Sequence, residues 1–253
     1  MKKYAISLLA FIPMRAKSSE RSEMTTQILF GELMRVIEVN DNWTYVELRY
    51  DDYRGYVDTK MLTFISEAEY SRLNSLKHYF ASDLYQYVEH QDQKIPIYMG
   101  ATVYFEDRDK QKYFTVNGEK YHYSFQKREK TILDTARLLL NIPYLWGGKT
   151  PFGIDCSGFT QLVFRTNCIS ILRDASQQAE QGEEVVFLEN IHAGDLAFFG
   201  DDENITHVGI LIDKSNIIHA SGKVKIDSFD DYGIFSNELK IHTHKLRFIK
   251  RIL

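Results

Sequence analysis

The stretch Asp155-Cys156-Ser157-Gly158-Phe159 holds the residues best suited to chemistry. Asp155 stands where a helix N-cap would, and Cys156 opens the amphipathic run from Cys156 to Asn167. A thiol at a helix N-terminus feels the positive end of the backbone dipole, which favours thiolate. The first-turn N–H groups have no partner within the helix, so they can receive an oxyanion. A thiolate needs a base. Of eight histidines, two lie in strand-like apolar runs: His207 in Thr206-His207-Val208-Gly209-Ile210, and His219 in Ile217-Ile218-His219-Ala220. Asp213-Lys214-Ser215-Asn216 between them reads as a hairpin turn, which makes the two strands antiparallel neighbours with both imidazoles near one level. One ring can then pair with the thiol and the other can orient the first, giving Cys156–His207–His219 as a nucleophile–base–orienter set.

Other chemistry competes for these residues. Cysteine is often only a small buried hydrophobe, and Cys168 keeps that reading. Cys156, His207 and His219 could ligate zinc, but a structural site needs a fourth ligand and no Cys-x-x-Cys pair is present. The reading therefore calls for no metal and no cofactor. His242 and His244 occupy alternate positions and are read as surface residues. On one helix the two cysteines stand roughly 18 Å apart, too far for a disulfide. Two thiols outside any disulfide fit a reducing compartment.

The elements that must position this set fall into three textures. Residues 126–253 read as helices first (Thr131 to Leu140, then Cys156 to Asn167). Strands follow at Asp195–Phe199, His207–Ile212, Ile217–Ala220 and Leu246–Ile252, an α+β order. Residues 1–65 read as a small β-barrel, with strands at Ile28–Phe30, Met34–Asn40, Trp43–Leu48 and Gly55–Asp58 between turn signals. Residues 66–82 read as a helical linker, with Ser66 as N-cap and Glu69 closing a capping box. Residues 83–125 return to strand texture and read as a second, divergent barrel, with Asn117-Gly118 as a hairpin turn. The start, Met1-Lys2-Lys3 before Tyr4 to Met14, reads as a first strand rather than a signal peptide, because Pro13 and Arg15 interrupt it and no small-x-small site follows.

Composition narrows the function classes. The chain has 253 residues, enough for two or three domains, and 44% apolar and 26% charged residues are ordinary for a soluble protein. A net charge of −4 without a Lys/Arg stripe argues against a nucleic-acid partner. No apolar run approaches the ~20 residues of a transmembrane helix.

At these residues the sequence resembles the NlpC/P60 family of cell-wall cysteine peptidases. The resemblance is carried by Pro143-Tyr144-Leu145-Trp146-Gly147-Gly148, Asp155-Cys156-Ser157-Gly158-Phe159, Gly194-Asp195-Leu196, His207-Val208-Gly209-Ile210 and Ile218-His219-Ala220-Ser221-Gly222. It implies a papain-like domain over about 126–253, with His207 as base and His219 as its orienting partner. It also implies hydrolysis beside D-glutamate in murein peptides. Residues 1–65 and 83–125 are similar to bacterial SH3 modules. Two such modules before this domain resemble γ-D-glutamyl-L-diamino acid endopeptidases of murein peptide recycling. That subgroup implies an acid and a tyrosine, here Glu23 and Tyr56, that read a free N-terminal L-alanine, and substrate contacts from Tyr144, Asp155 and Ser157. The expected partner is a murein-derived peptide and the expected compartment is the cytoplasm. A secreted wall hydrolase, a non-catalytic wall-binding protein and an acyltransferase or amidase on the same fold are the alternatives.

Overall fold

Short runs of β-branched and aromatic residues, broken by turn residues, make the first half of the chain strands. The computed structural model describes residues 3–106, 112–124 and 130–252, and it divides into two units, Met1–Glu129 and Lys130–Leu253. The expected domain boundary at 125/126 lies outside the described residues.

In the first unit, β1 (Tyr4–Ile6), β2 (Phe11–Arg15), β3 (Met24–Leu29), β4 (Leu33–Asn40), β5 (Trp43–Leu48), β6 (Arg54–Asp58) and β7 (Thr63–Ile65) form one antiparallel sheet in the order β3-β2-β6-β5-β4-β1-β7. The start, read as one strand from Tyr4 to Met14, is two strands, β1 and β2, with Ser7 to Ala10 between them. Helix α1 (Glu67–Ser75) follows, then β8 (His78–Phe80), β9 (Tyr85–His90), β10 (Gln93–Tyr98), β11 (Thr102–Tyr104), β12 (Tyr113–Val116) and β13 (Glu119–His122). Strands β10-β9-β13-β12 make a four-stranded sheet, and β11 pairs with β8. The β12–β13 turn is Asn117-Gly118, both with positive φ (51° and 85°), as a type I′ hairpin requires.

The segment 66–82 differs from the expected linker. Ser66 caps α1 by accepting from Glu69 N–H, but the Glu69 carboxylate engages Arg72 and Asn117 N–H. Leu73 of α1 is fully buried, and His78–Phe80 is a strand. The two strand blocks share one core, in which Ile6, Phe30 and Leu33 pack with Val88, Ile97 and Phe114. Backbone joins them as well: Thr102 N–H donates to Phe30 C=O, and the Tyr104 hydroxyl donates to Gly31 C=O.

The second unit holds α2 (Ile132–Leu138), β14 (Lys149–Thr150), β15 (Gly153–Ile154), α3 (Cys156–Thr166), α4 (Ala175–Ala179), β16 (Glu183–Glu184), β17 (Leu196–Gly200), β18 (Ile205–Leu211), β19 (Asn216–Ser221), β20 (Lys223–Phe229), β21 (Gly233–Ser236) and β22 (Ile241–Arg251). The strands run β16-β22-β17-β18-β19-β20-β21, and an added β21–β22 pairing closes six of them into a ring. Thr131 caps α2 in a full capping box with Asp134.

Helix α3, read as amphipathic, is buried on every side. All eleven of its residues are buried, including the polar Thr160, Gln161, Arg165 and Thr166. Buried polar groups need partners. Thr160 Oγ1 lies 2.7 Å from Gln178 Oε1, Gln161 Nε2 donates to Ile171 C=O, and Thr166 Oγ1 donates to Leu162 C=O. Phe159, Leu162, Val163 and Phe164 are fully buried, each contributing about 1.5–3 kcal/mol. The nucleophile candidate therefore sits on a fully buried helix. Cys168 lies beyond the helix end, exposed and with φ 62°, and no disulfide joins it to Cys156.

Candidate active site

Asp155 begins α3 in extended conformation and accepts from Gly158 N–H at 2.6 Å, a conventional N-cap. A Cβ at position 158 would stand 2.4 Å from Gly148 C=O, so only glycine lets the helix start fit beneath that loop. Cys156 follows as the first helical residue and is 6% exposed. Its sulfur accepts from the N–H groups of Ser157 and Val208, which sets the thiol against β18 beside His207.

The two histidines meet through strand register. Gly209 pairs with His219 across β18 and β19, so His207 lies two residues off, a diagonal neighbour on the same face. His207 Nε2 and His219 Nδ1 are 2.9 Å apart. A Cβ on Gly209 would approach the His219 Cβ to 2.9 Å, so the bare glycine gives the His219 ring its place. Both rings are buried.

Several residues join the site that sequence reasoning did not find. Arg173, 1% exposed, donates to both oxygens of Asp155, at 3.0 and 2.6 Å, and to Ser157 Oγ at 2.9 Å. Asp227 on β20 stands 3.1 Å from His219 Nε2 and is itself held by Lys225 and by Asn237 N–H. His244 corrects the surface reading given to it. It is half-buried and stacks on His207, with ring centroids 4.1 Å apart. A bulge in the β21–β22 ladder lies between the two histidines of β22. His242 is exposed, as read, and pairs with Asp230.

The electrostatics differ from the expectation of a resting thiolate. Burial pushes the Cys156 thiol up to about 11, aided by the Asp155 charge and only partly offset by the Val208 N–H, Arg173 and the Ser157 N–H. Burial likewise drives His207 well below its usual range, with His219, His244 and Lys225 adding to the effect. His219 is lowered by burial against the pull of Asp227. The helix dipole is too weak to outweigh desolvation here, because α3 begins deep in the unit. The resting pair is a neutral thiol beside a neutral imidazole.

Of the remaining expected site residues, Tyr144 is half-buried and raised by burial first, then by its neighbours Cys156 and Asp155, which places its hydroxyl in their field. Ser157 is buried, with its hydroxyl between Arg173 and Asp155. The second role expected of Asp155, holding a substrate ammonium, meets an occupied carboxylate. Its oxygens already accept from Gly147 N–H, Gly158 N–H, Ser157 Oγ and Arg173. Glu23 and Tyr56 belong to the first unit. Glu23 is exposed just before β3, and Tyr56 is half-buried on β6 against Tyr45. The end of β2 lies beside both: Arg15 pairs with Met24 and with Tyr56, and Ala16 N–H donates to Glu23 C=O.

Comparison with known proteins fits this geometry. Residues 141–242 match the NlpC/P60 family, and residues 14–62 match the bacterial dipeptidyl-peptidase Sh3 domain. A γ-D-glutamyl-L-lysine dipeptidyl-peptidase of Bacillus subtilis (strain 168) is 44% identical over 92 residues, 35% of this chain and 31% of that protein. The match thus spans about a third of that relative's length. Dipeptidyl-peptidase 6 of Lysinibacillus sphaericus is 24% identical over 255 residues, 90% of this chain and 92% of that one. The crystal structure of an NlpC/P60 family protein from Bacillus cereus ATCC 10987 has the same fold, with a TM-score of 0.81 over 99% of both chains at 18% identity. The chain thus carries an NlpC/P60 domain, which holds Cys156, His207 and His219, after a bacterial SH3 domain.

Proposed function

We propose that the protein is a cysteine peptidase that hydrolyses the γ-D-glutamyl–diamino acid bond of murein peptides with a free N-terminal L-alanine, releasing L-Ala-D-Glu. The observation that carries the reading is a buried thiol at the first position of α3, set against the hydrogen-bonded His207–His219 pair. The names of the relatives supply the bond class.

Because thiol and imidazole rest neutral, His207 acts as general base during attack. The Cys156 sulfur bonds to the γ-carbonyl carbon as His207 takes the thiol proton. The Cys156 N–H at the start of α3, with the Tyr144 hydroxyl, stabilises the oxyanion. The intermediate collapses as His207 returns the proton to the leaving amine of the diamino acid. Water then attacks the thioester, His207 takes its proton, and the sulfur leaves and recovers a proton from His207. No step uses a metal or cofactor.

The proposal gives recognition of the terminal ammonium to Glu23, with Tyr56 beside it, since Asp155 is engaged by Arg173. The Sh3 match over 14–62, which covers both residues, supports this. We also read residues 83–125 as a second, diverged SH3-like module; its short antiparallel strands and Asn-Gly hairpin support that reading. The test is product analysis with free and N-acetylated L-Ala-γ-D-Glu-diamino acid peptides and with intact sacculi. Turnover of the free peptide alone is expected. Equal turnover of the acetylated peptide removes the amine recognition, and activity in Cys156→Ala removes the peptidase mechanism.

A further inference from the structure

The geometry points to Asp227 as a positioning residue that sets the tautomers of both histidines, so that His207 presents an unprotonated Nδ1 to the thiol. This rests on the peptidase reading above for its catalytic meaning, but not for its structure.

The hydrogen-bond chain runs across three strands, β20, β19 and β18. Asp227 pairs opposite Ile217 on β19, so it is a diagonal neighbour of His219, just as His207 is on the other side. Its Oδ1 accepts from Asn237 N–H at 2.9 Å, and its Oδ2 lies 3.0 Å from Lys225 Nζ and 3.1 Å from His219 Nε2. Burial raises this carboxyl, but the hydrogen bonds from His219, Asn237 N–H and Lys225 outweigh burial and hold it well below the usual range, so it is ionised. An ionised carboxylate only accepts, so His219 must carry its proton on Nε2. A neutral His219 then has an acceptor at Nδ1. That nitrogen is 2.9 Å from His207 Nε2, which must therefore be the donor. A neutral His207 with its proton on Nε2 has its lone pair on Nδ1. The relay is thus Asp227–His219–His207, with every proton on Nε2, and the base nitrogen is the one left over.

The groups around His207 do not reverse this order. His219 lies on β19, Lys225 on β20 and His244 on β22; all three oppose a positive ring, and Phe199 on β17 is apolar. On the α3 side the Cys156 sulfur accepts from the N–H of Val208, the residue after His207, which brings the thiol to this end of β18.

Asp227→Asn tests the logic directly. The fixed backbone N–H of Asn237 requires an oxygen at Oδ1, whereas the flexible Lys225 ammonium can swing toward solvent, so the new amide turns its NH₂ toward His219 Nε2. His219 must then shift its proton to Nδ1 and donate to His207 Nε2, which moves the His207 proton to the nitrogen facing the thiol. A base held in the wrong tautomer loses on the order of 10²–10⁴-fold in kcat with little change in KM. Asp227→Glu, which keeps an ionised acceptor, should retain the wild-type tautomers.

The readout is ¹⁵N ring chemical shifts of His207 and His219 in the full-length wild type, in Asp227→Asn and in Asp227→Glu, together with kcat and KM on the free tripeptide. The expected result is Nε2–H on both rings in the wild type and Asp227→Glu, and Nδ1–H on His219 in Asp227→Asn with the kcat loss. Nδ1–H on His207 in the wild type overturns the inference, as does an Asp227→Asn protein with unchanged tautomers or unchanged kcat. The wild-type spectrum decides even if a variant fails to fold. The same spectrum of Cys156→Ala separates the two claims: turnover in that variant would defeat the peptidase reading and leave the tautomer order standing.

Discussion

Replacing Arg173 by Met tests how the site is built. Arg173 donates to both Asp155 oxygens, and the side chains are only 1% and 8% exposed. Arg173→Met is similar in length but leaves a buried carboxylate without its counter-charge. Removing one partner of a buried pair costs about 3–5 kcal/mol, because the remaining charge keeps its desolvation penalty. For a unit of this size that is a fall of roughly 6–20 °C in melting temperature. A chemical consequence follows, because Arg173 is one of the groups that lower the Cys156 thiol. Without it the thiol moves further up and its alkylation slows. Urea unfolding and iodoacetamide alkylation at fixed pH measure both effects. Adding Asp155→Asn to Arg173→Met removes the stranded charge and should recover part of the stability, because Asn caps a helix about as well as Asp. A single variant within 1 kcal/mol of wild type, or a double variant less stable than the single, would refute this reasoning.

Other outcomes follow from the same geometry. His207 and His219 have lowered values in the folded state, so the unfolded chain binds protons first as pH falls below about 6.5. Stability should therefore be full above that pH and fall below it by roughly 1.4 kcal/mol per pH unit for each excluded proton; urea midpoints from pH 7.5 to 5 that do not move would contradict this. His244, lowered to about 4 by burial and partly solvated, adds a smaller share, and His244→Phe should make the acid slope shallower. Gly209→Ala should lower kcat and cost about 1–3 kcal/mol, because its methyl meets the His219 Cβ; wild-type kinetics would show that the ring does not depend on that space. Since the Cys156 thiol is pushed up to about 11, its alkylation rate should keep rising with pH through 9, and a plateau below pH 7 would mean a preformed thiolate.

The parts of the site legible in the sequence are those made by neighbours in the chain. Asp155 as N-cap, Cys156 at the first helical position and the hairpin that joins His207 to His219 are all local patterns, and the structure has each of them. Arg173, Asp227 and His244 arrive from other elements. Arg173 precedes α4, Asp227 comes by the register of β20, and His244 belongs to a strand whose ladder is bulged. No spacing in the chain signals them. Lys225 and Asp227 alternate like ordinary surface polar residues of a strand, and only the ring closure by β21 and β22 shows otherwise. The resting charge state was also not legible, since the dipole argument for Cys156 needs only the helix start, whereas desolvation depends on α3 being buried on all sides. In the first unit, separate strand runs gave no sign that both blocks share a core through Phe30 and Phe114.

The central claim is that the Cys156 sulfur attacks the γ-D-glutamyl carbonyl. Rapid acid quenching during turnover of L-Ala-γ-D-Glu-diamino acid, followed by intact-mass and peptide mapping, tests it most directly. The expected result is an L-Ala-γ-D-glutamyl thioester on the peptide containing Cys156, gone in Cys156→Ala along with all turnover. Cleavage that persists in Cys156→Ala, or an acyl group trapped on any other residue, would contradict it.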